Sequence, residues 1–357
     1  MPSVEYAKCR AIPKSSIWIL IWFLIWFVLA NFLVFAYLKS NYFINSGFDR
    51  LLMHPSDNEL RSAIYHLKKD NNHTNIILLG DSVIWGVGSN YSKSVAPILA
   101  NKYIDNPKIQ VVNLAVPGNS FLDIARTIEE IENQNFVFLF FINPIRFNEE
   151  ISNRNFEEAI RFPYLFERGT EKRRVDIKDC CNLIIPNKEN EIVRMIDDQL
   201  LTLIPIYYYR DTITKIIIGL QPYAAVDAVL SRLRKMEWNR SETDRKNISK
   251  DKNIAPDYES VLFKDTNMYN YLATVTKWLK GYNNVYYIVQ DNNLYKRNEQ
   301  YLKNMEDILN LLPPEKTLNM SNKIENSFFI DRSHMKEGGH AIMADEIYNF
   351  LKIKSAN

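Results

Sequence analysis

Hydrophobic and polar positions along the chain fall into three regimes. From Ile17 to Leu38 there are 22 residues without a charge and with one polar amide, Asn31. A core-facing helix would keep a polar face, and this run has none. As a helix it would reach about 33 Å, enough for a ~30 Å hydrocarbon core. It predicts one uncleaved transmembrane helix over 17–38, after an N-terminal tail of 1–16. Val28-Leu29-Ala30 is a passable signal-peptide cleavage site, but the apolar run continues well beyond it. Lys8, Arg10 and Lys14 precede the span against a single Glu5, while Lys39 and Arg50 follow it. That mild bias favours a cytoplasmic N-terminus, with the rest of the chain extracytoplasmic, periplasmic or extracellular.

The second regime begins after a linker, 39–74, in which Asp57 to Lys69 has helical spacing. Short β-rich runs follow at Asn75–Leu79, Lys108–Leu114, Phe136–Ile142, Asn284–Val289 and Ser327–Ile330. Helical patterns at Ser92–Tyr103, Phe121–Glu132, Met268–Lys280, Gln300–Leu312 and Lys336–Lys352 lie between and after them. Strands alternating with helices predict βαβ units, hence an α/β domain over 75–357 with a parallel sheet covered on both faces.

The third regime, about 145–265, interrupts that alternation and reads as a mainly helical insertion. Its charged stretches Glu167–Lys178 and Ser231–Lys252 read as solvated faces or loops. The apolar segment 200–220 carries Arg210, Asp211 and Lys215, which argues against a second crossing.

Composition changes the picture in three places. Lys+Arg 44 against Asp+Glu 42 is near balance, and no nucleic-acid motif is present, so nucleic acid is not an expected partner. Three cysteines, two of them the neighbours Cys180 and Cys181, cannot build a disulfide framework. Glycine is scarce: there are ten, and six of them (Gly80, Gly86, Gly88, Gly118, Gly338, Gly339) fall in three short segments. Such clustering marks tight turns.

Candidate chemistry sits at those turns. The first strand runs into Gly80-Asp81-Ser82, a serine at a strand's carboxyl end, where open α/β sheets place ligand sites. The bland alternative is a turn capping the next helix, which Asp and Ser both favour. A serine nucleophile needs a base. Of five histidines, His54, His66 and His73 precede or border the sheet domain, and His340 lies inside the last helical pattern, where packing or exposure is its expected role. His334 lies in Asp331-Arg332-Ser333-His334, directly after the last expected strand. In a D-x-x-H loop the carboxylate can accept the imidazole Nδ1–H while Nε2 faces the serine. Gly118, after the second strand, could offer a backbone N–H to an oxyanion. Asn143 follows the third strand and is held out of the helical region by Pro144. With the Ser82 N–H these make a candidate oxyanion hole of Ser82, Gly118 and Asn143.

These segments resemble the blocks of the SGNH hydrolase superfamily, also called GDSL esterases. Gly80-Asp81-Ser82 is similar to its nucleophile block, Asn113-Leu114-Ala115-x-x-Gly118 to the second and Asp331-x-x-His334 to the last. Asn143 stands where the third block carries its Asn, although Phe141-Ile142-Asn143-Pro144 departs from the usual Gly-x-Asn-Asp. The resemblance covers about 75–145 and 284–352. It implies a flavodoxin-like three-layer α/β/α domain, a Ser82–His334–Asp331 triad, no cofactor and no metal, and hydrolysis or transfer of acyl groups. One membrane span joined to such a domain is similar to envelope proteins that work beside membrane-bound O-acyltransferases. That analogy implies an acylated, O-acetylated glycan as substrate and such an acyltransferase as partner. A lipid esterase or thioesterase, and a non-catalytic scaffold, are the alternatives left open.

Overall fold

The computed structural model describes residues 14–41, parts of a helix between 60 and 68, 72–131, 135–147, 160, 162–167, 192, 262–292, 299–330 and 333–356. Cys9, Cys180, Cys181, Asp331 and most of the 145–265 block lie outside the described residues, and so does the helical character expected of the insertion.

The apolar N-terminal run forms helix α1, Lys14–Asn41, of 28 residues. Its Trp18, Trp22 and Trp26 recur every fourth position and are exposed. Asn31 donates from Nδ2 to the Phe27 carbonyl at 2.8 Å, so its amide finds a partner within the helix. Side chains in α1 are described at 18, 19 and 21–33. Among the described residues no helix is long and apolar enough to cross a membrane. In the stretch expected as a linker, Leu60, Ala63, Ile64 and Leu67 are buried at helical spacing and join the core of one sheet face.

The sheet is built in chain order from β1 (Thr74–Leu79), α2 (Ser82–Trp85), α3 (Val95–Lys102), β2 (Ile109–Asn113), α4 (Phe121–Ile131) and β3 (Phe136–Ile142). A short helix α5 (Pro163–Glu167) follows, then α6 (Asn267–Leu279), β4 (Val285–Val289), α7 (Glu299–Leu311), β5 (Thr317–Asn319) and α8 (Glu337–Ala356). The strands lie in the order β2-β1-β3-β4-β5 and every neighbouring pair is parallel. This is a doubly wound sheet whose order reverses beside β1, with the carboxyl ends of all strands along one rim.

Continuous apolar strands are what such a sheet requires, because both faces are covered. In β3, Phe136, Phe138, Phe140 and Ile142 enter a core shared with α4, α6 and α7. Leu139 and Phe141 face the opposite core, beneath α3 and α8. Four of the five expected strands are therefore found within a residue or so.

The fifth is displaced. Ser327–Ile330 was expected to be a strand and is not: Asn326–Phe328 is a single 3-10 turn, and Phe329 makes one antiparallel bridge, to Met335. Phe329 is buried in the second core and Ile330 is buried beside Gly88, neither of them within the sheet. The actual edge strand, Thr317–Asn319, has three residues of which one, Leu318, is buried. So short an edge strand leaves no alternation to read.

Candidate active site

Ser82 opens α2, directly beyond β1. Asp81 caps that helix, its Oδ1 accepting the Val83 N–H at 3.0 Å. The bland and the chemical readings of the turn therefore coincide: the cap orients the backbone, and capping leaves the Ser82 hydroxyl at the sheet's carboxyl rim. His334 arrives from a loop 252 positions later, its Nε2 lying 2.9 Å from Ser82 Oγ. With the imidazole protonated at Nδ1, the hydroxyl donates to Nε2, the geometry required for proton abstraction. Both residues are half-buried.

The histidine loop is held from both ends. Ile330 N donates to the His334 carbonyl at 2.8 Å, and Lys336 N to the Phe328 carbonyl at 2.7 Å. Gly88, in the loop after α2, sits at φ +84°, and a Cβ there would meet Ile330 Cδ1 at 2.5 Å and His334 Cβ at 3.9 Å. Glycine at 88 thus lets the serine turn and the histidine loop lie against each other. Asp331 lies outside the described residues. Because Ser327–Ile330 is not a strand, the residues just before Asp331 are a turn rather than a strand end.

The second segment closes onto the first through the backbone. Leu114 N donates to Leu78 O at 2.9 Å and Val116 N to Gly80 O at 3.1 Å. Asn113 is fully buried; its Nδ2 donates to Ile84 O at 2.9 Å and its Oδ1 accepts from Ala115 N at 3.0 Å. Gly118 is exposed with φ 78° in a turn closed by Asn119 N donating to Val116 O at 2.9 Å. Among the described residues neither the Ser82 nor the Gly118 N–H meets a backbone acceptor.

Asn143 follows β3, adjacent to β1 in the sheet. Its Nδ2 donates to Asp81 Oδ2 at 2.8 Å, and its Oδ1 accepts from Ile145 N at 3.2 Å. With its own amide turned to satisfy both ends, Asn292 also donates to Asn143 Oδ1 at 3.2 Å. One amide hydrogen of Asn143 is therefore committed to Asp81, while a second remains for an oxyanion. Asp81 in turn accepts Val83 N–H on one oxygen and Asn143 on the other, which ties β3 to the Gly80–Ser82 turn.

Sequence reasoning missed two features, the roles of Asp81 and Arg146; the buried His340 is one of the two outcomes expected of it. The sequence marks Asp81 as a turn residue and not as the acceptor that fixes Asn143; nothing in the spacing announces that bond. Arg146 crosses to the Gly118 turn, donating to the carbonyls of Gly118 and Asn119. His340 is fully buried on α8, and neither ring nitrogen has a hydrogen bond of normal geometry. Burial pushes its pKa down to about 4, the nearby His334 adding to the effect; the Met335 carbonyl opposes it weakly. Among the described residues no group of three or more His, Cys, Asp or Glu side chains could hold a metal ion.

No family model matches the chain. No curated protein matches it either. Among solved structures, a lipase, Lip_vut3 from a goat rumen metagenome, is similar at 12% identity over 77% of this chain and 96% of its own. The TM-score is 0.30, too low for the likeness to bear on fold or activity.

Proposed function

We propose that the protein is a serine hydrolase or acyltransferase of the SGNH type, acting on ester bonds, with a flavodoxin-like α/β/α catalytic domain. The observation that carries this reading is the 2.9 Å approach of His334 Nε2 to Ser82 Oγ at the carboxyl rim of a parallel sheet. Ser82 Oγ attacks an acyl carbonyl as its proton passes to His334, and Asp331 orients the imidazole from the same loop. The N–H groups of Ser82 and Gly118 with the Asn143 amide receive the oxyanion. His334 then returns the proton to the leaving oxygen, and water or a sugar hydroxyl takes the acyl group from Ser82. O-acetyl groups of cell-envelope glycans are the favoured substrate, because an anchored extracytoplasmic domain meets glycans first. A membrane-bound O-acyltransferase is the favoured partner. The anchor is the run 17–38, whose apolar sequence and internally paired Asn31 suit a hydrocarbon setting.

The test is covalent labelling of the detergent-solubilised chain with a fluorophosphonate. Wild type is expected to label and Ser82→Ala not to; equal labelling of both proteins would remove Ser82 as nucleophile.

A further inference from the structure

We infer that Arg146 is a positioning residue that locks the Gly118 turn so that the Gly118 N–H stays presented to an oxyanion. The inference rests on the serine-hydrolase reading and assigns that site a residue outside the triad and the donor set.

The turn Val116–Asn119 has Pro117 at its second position, Gly118 at φ 78° in its third, and a closing bond from Asn119 N to Val116 O at 2.9 Å. Those are the marks of a type II turn. Types I and II differ by a flip of the central peptide, here Pro117–Gly118, which carries the Gly118 N–H. In one state that N–H faces one side of the turn, in the other the opposite side. Pro117 and Gly118 set that choice locally; what the turn leaves open is where it sits relative to the rest of the rim.

Arg146 supplies the restraint. It lies on the 3-10 turn Pro144–Phe147 that follows Asn143. One terminal nitrogen donates to Asn119 O and the other to Gly118 O, the latter at 3.3 Å. The Gly118–Asn119 peptide is thus gripped at both ends, by Val116 O on its N–H and by Arg146 on its C=O. The Asn119–Ser120 peptide is gripped at its carbonyl. The fork therefore holds the Val116–Asn119 turn in place against the segment that follows Asn143, and with it the point from which the Gly118 N–H is offered.

The guanidinium is itself held: its carbon lies 5.9 Å from the centroid of the Phe121 ring. Phe121 packs on Phe147, the next residue after Arg146, at 5.8 Å, and Phe147 stacks on Phe263 at 5.1 Å. A planar fork can hold two carbonyls at once, whereas a lysine ammonium on a flexible stem keeps the charge without that geometry.

The experiment compares wild type with Arg146→Lys and Arg146→Met, using the full chain in detergent, a fluorophosphonate and p-nitrophenyl acetate. Deleting a whole oxyanion donor costs about 10²–10³ in rate, so misplacing one is expected to lower the phosphonylation rate constant by about tenfold or more in both variants. Final labelling stoichiometry and melting temperature should match wild type. The loss should fall on kcat for p-nitrophenyl acetate, with KM nearly unchanged, and the pH profile should not move, because His334 is untouched. An unchanged rate constant in either variant would overturn the inference. So would a rate loss in both that is matched by lost stoichiometry, since that marks a fold contact only. If wild type itself fails to label, the active-site reading fails first, and Arg146 has nothing to position.

Discussion

Two histidines six positions apart occupy opposite environments. His334 rides a tight loop at the sheet rim, half-buried, with Nε2 on the Ser82 hydroxyl. His340, in the first turn of α8 and on its buried stripe with Met343, Ala344 and Ile347, is fully enclosed, and among the described residues neither ring nitrogen has a hydrogen bond of normal geometry. The residue type is the same, so the difference in chemistry comes from solvent and partner. A proton acceptor must reach its donor and must be able to hold a charge. The half-exposed loop permits both and the helix core permits neither.

The largest expected effect breaks that comparison at the first site. His334→Ala should lower p-nitrophenyl acetate turnover by about 10³-fold or more, as loss of a triad base does. His340→Leu, similar in size, should stay within severalfold of wild type. Steady-state kinetics on both variants checks this, and an equal loss in both would mean that His340 belongs to the chemistry.

Next comes the contact that seats the loop. Gly88→Ala places a Cβ 2.5 Å from Ile330 Cδ1 at a strained φ of +84°, so the backbone at 88 and the Ile330 side chain beside the histidine loop must readjust. Turnover is expected to fall by about tenfold or more, because misalignment on the order of 1 Å is costly, with loss of stability alongside. Paired kinetic and melting measurements decide it; wild-type values in both would show that the loop is not seated by this contact.

The smallest effect sharpens the comparison at His340. Its folded pKa is lowered to about 4, so between pH 6.5 and 4 the unfolded chain takes up a proton that the folded chain refuses. The fold is unaffected by this group above about pH 6.5 and loses stability as pH falls toward 4. Full expression of the shift corresponds to about 3 kcal/mol. His340→Leu should therefore hold its denaturation midpoint better than wild type across that window and match its pH dependence above it. Parallel slopes in both proteins would remove His340 as a source of acid sensitivity.

Much of this was legible before any coordinates. The runs Asn75–Leu79 and Phe136–Ile142 are strands because a strand buried on both faces must be apolar throughout, and that requirement is written locally. Ser82 and His334 were legible because glycine scarcity made their turns stand out and because a hydroxyl nucleophile demands a base. The edge strand Thr317–Asn319 was not, since three residues with one buried side chain show no period. Ser327–Ile330 has strand composition, yet its Phe328 and Phe329 pack on the second core from a turn and a single bridge. Propensity records preference for an extended, half-buried setting, and that loop supplies such a setting without a sheet.

The chain alone determined its apolar N-terminal helix, the alternation that makes a parallel α/β sheet, and the residue types able to perform acyl chemistry. These depend on nearest neighbours and on periods of two or 3.6 residues, which a linear string displays. Only the tertiary structure decided how near His334 comes to Ser82, that Asp81 accepts from Asn143, and that Arg146 grips the Gly118 turn. Those pairings join strand ends and loops between 27 and 252 positions apart. Their partners are chosen by strand order and loop closure, and no local pattern carries that information.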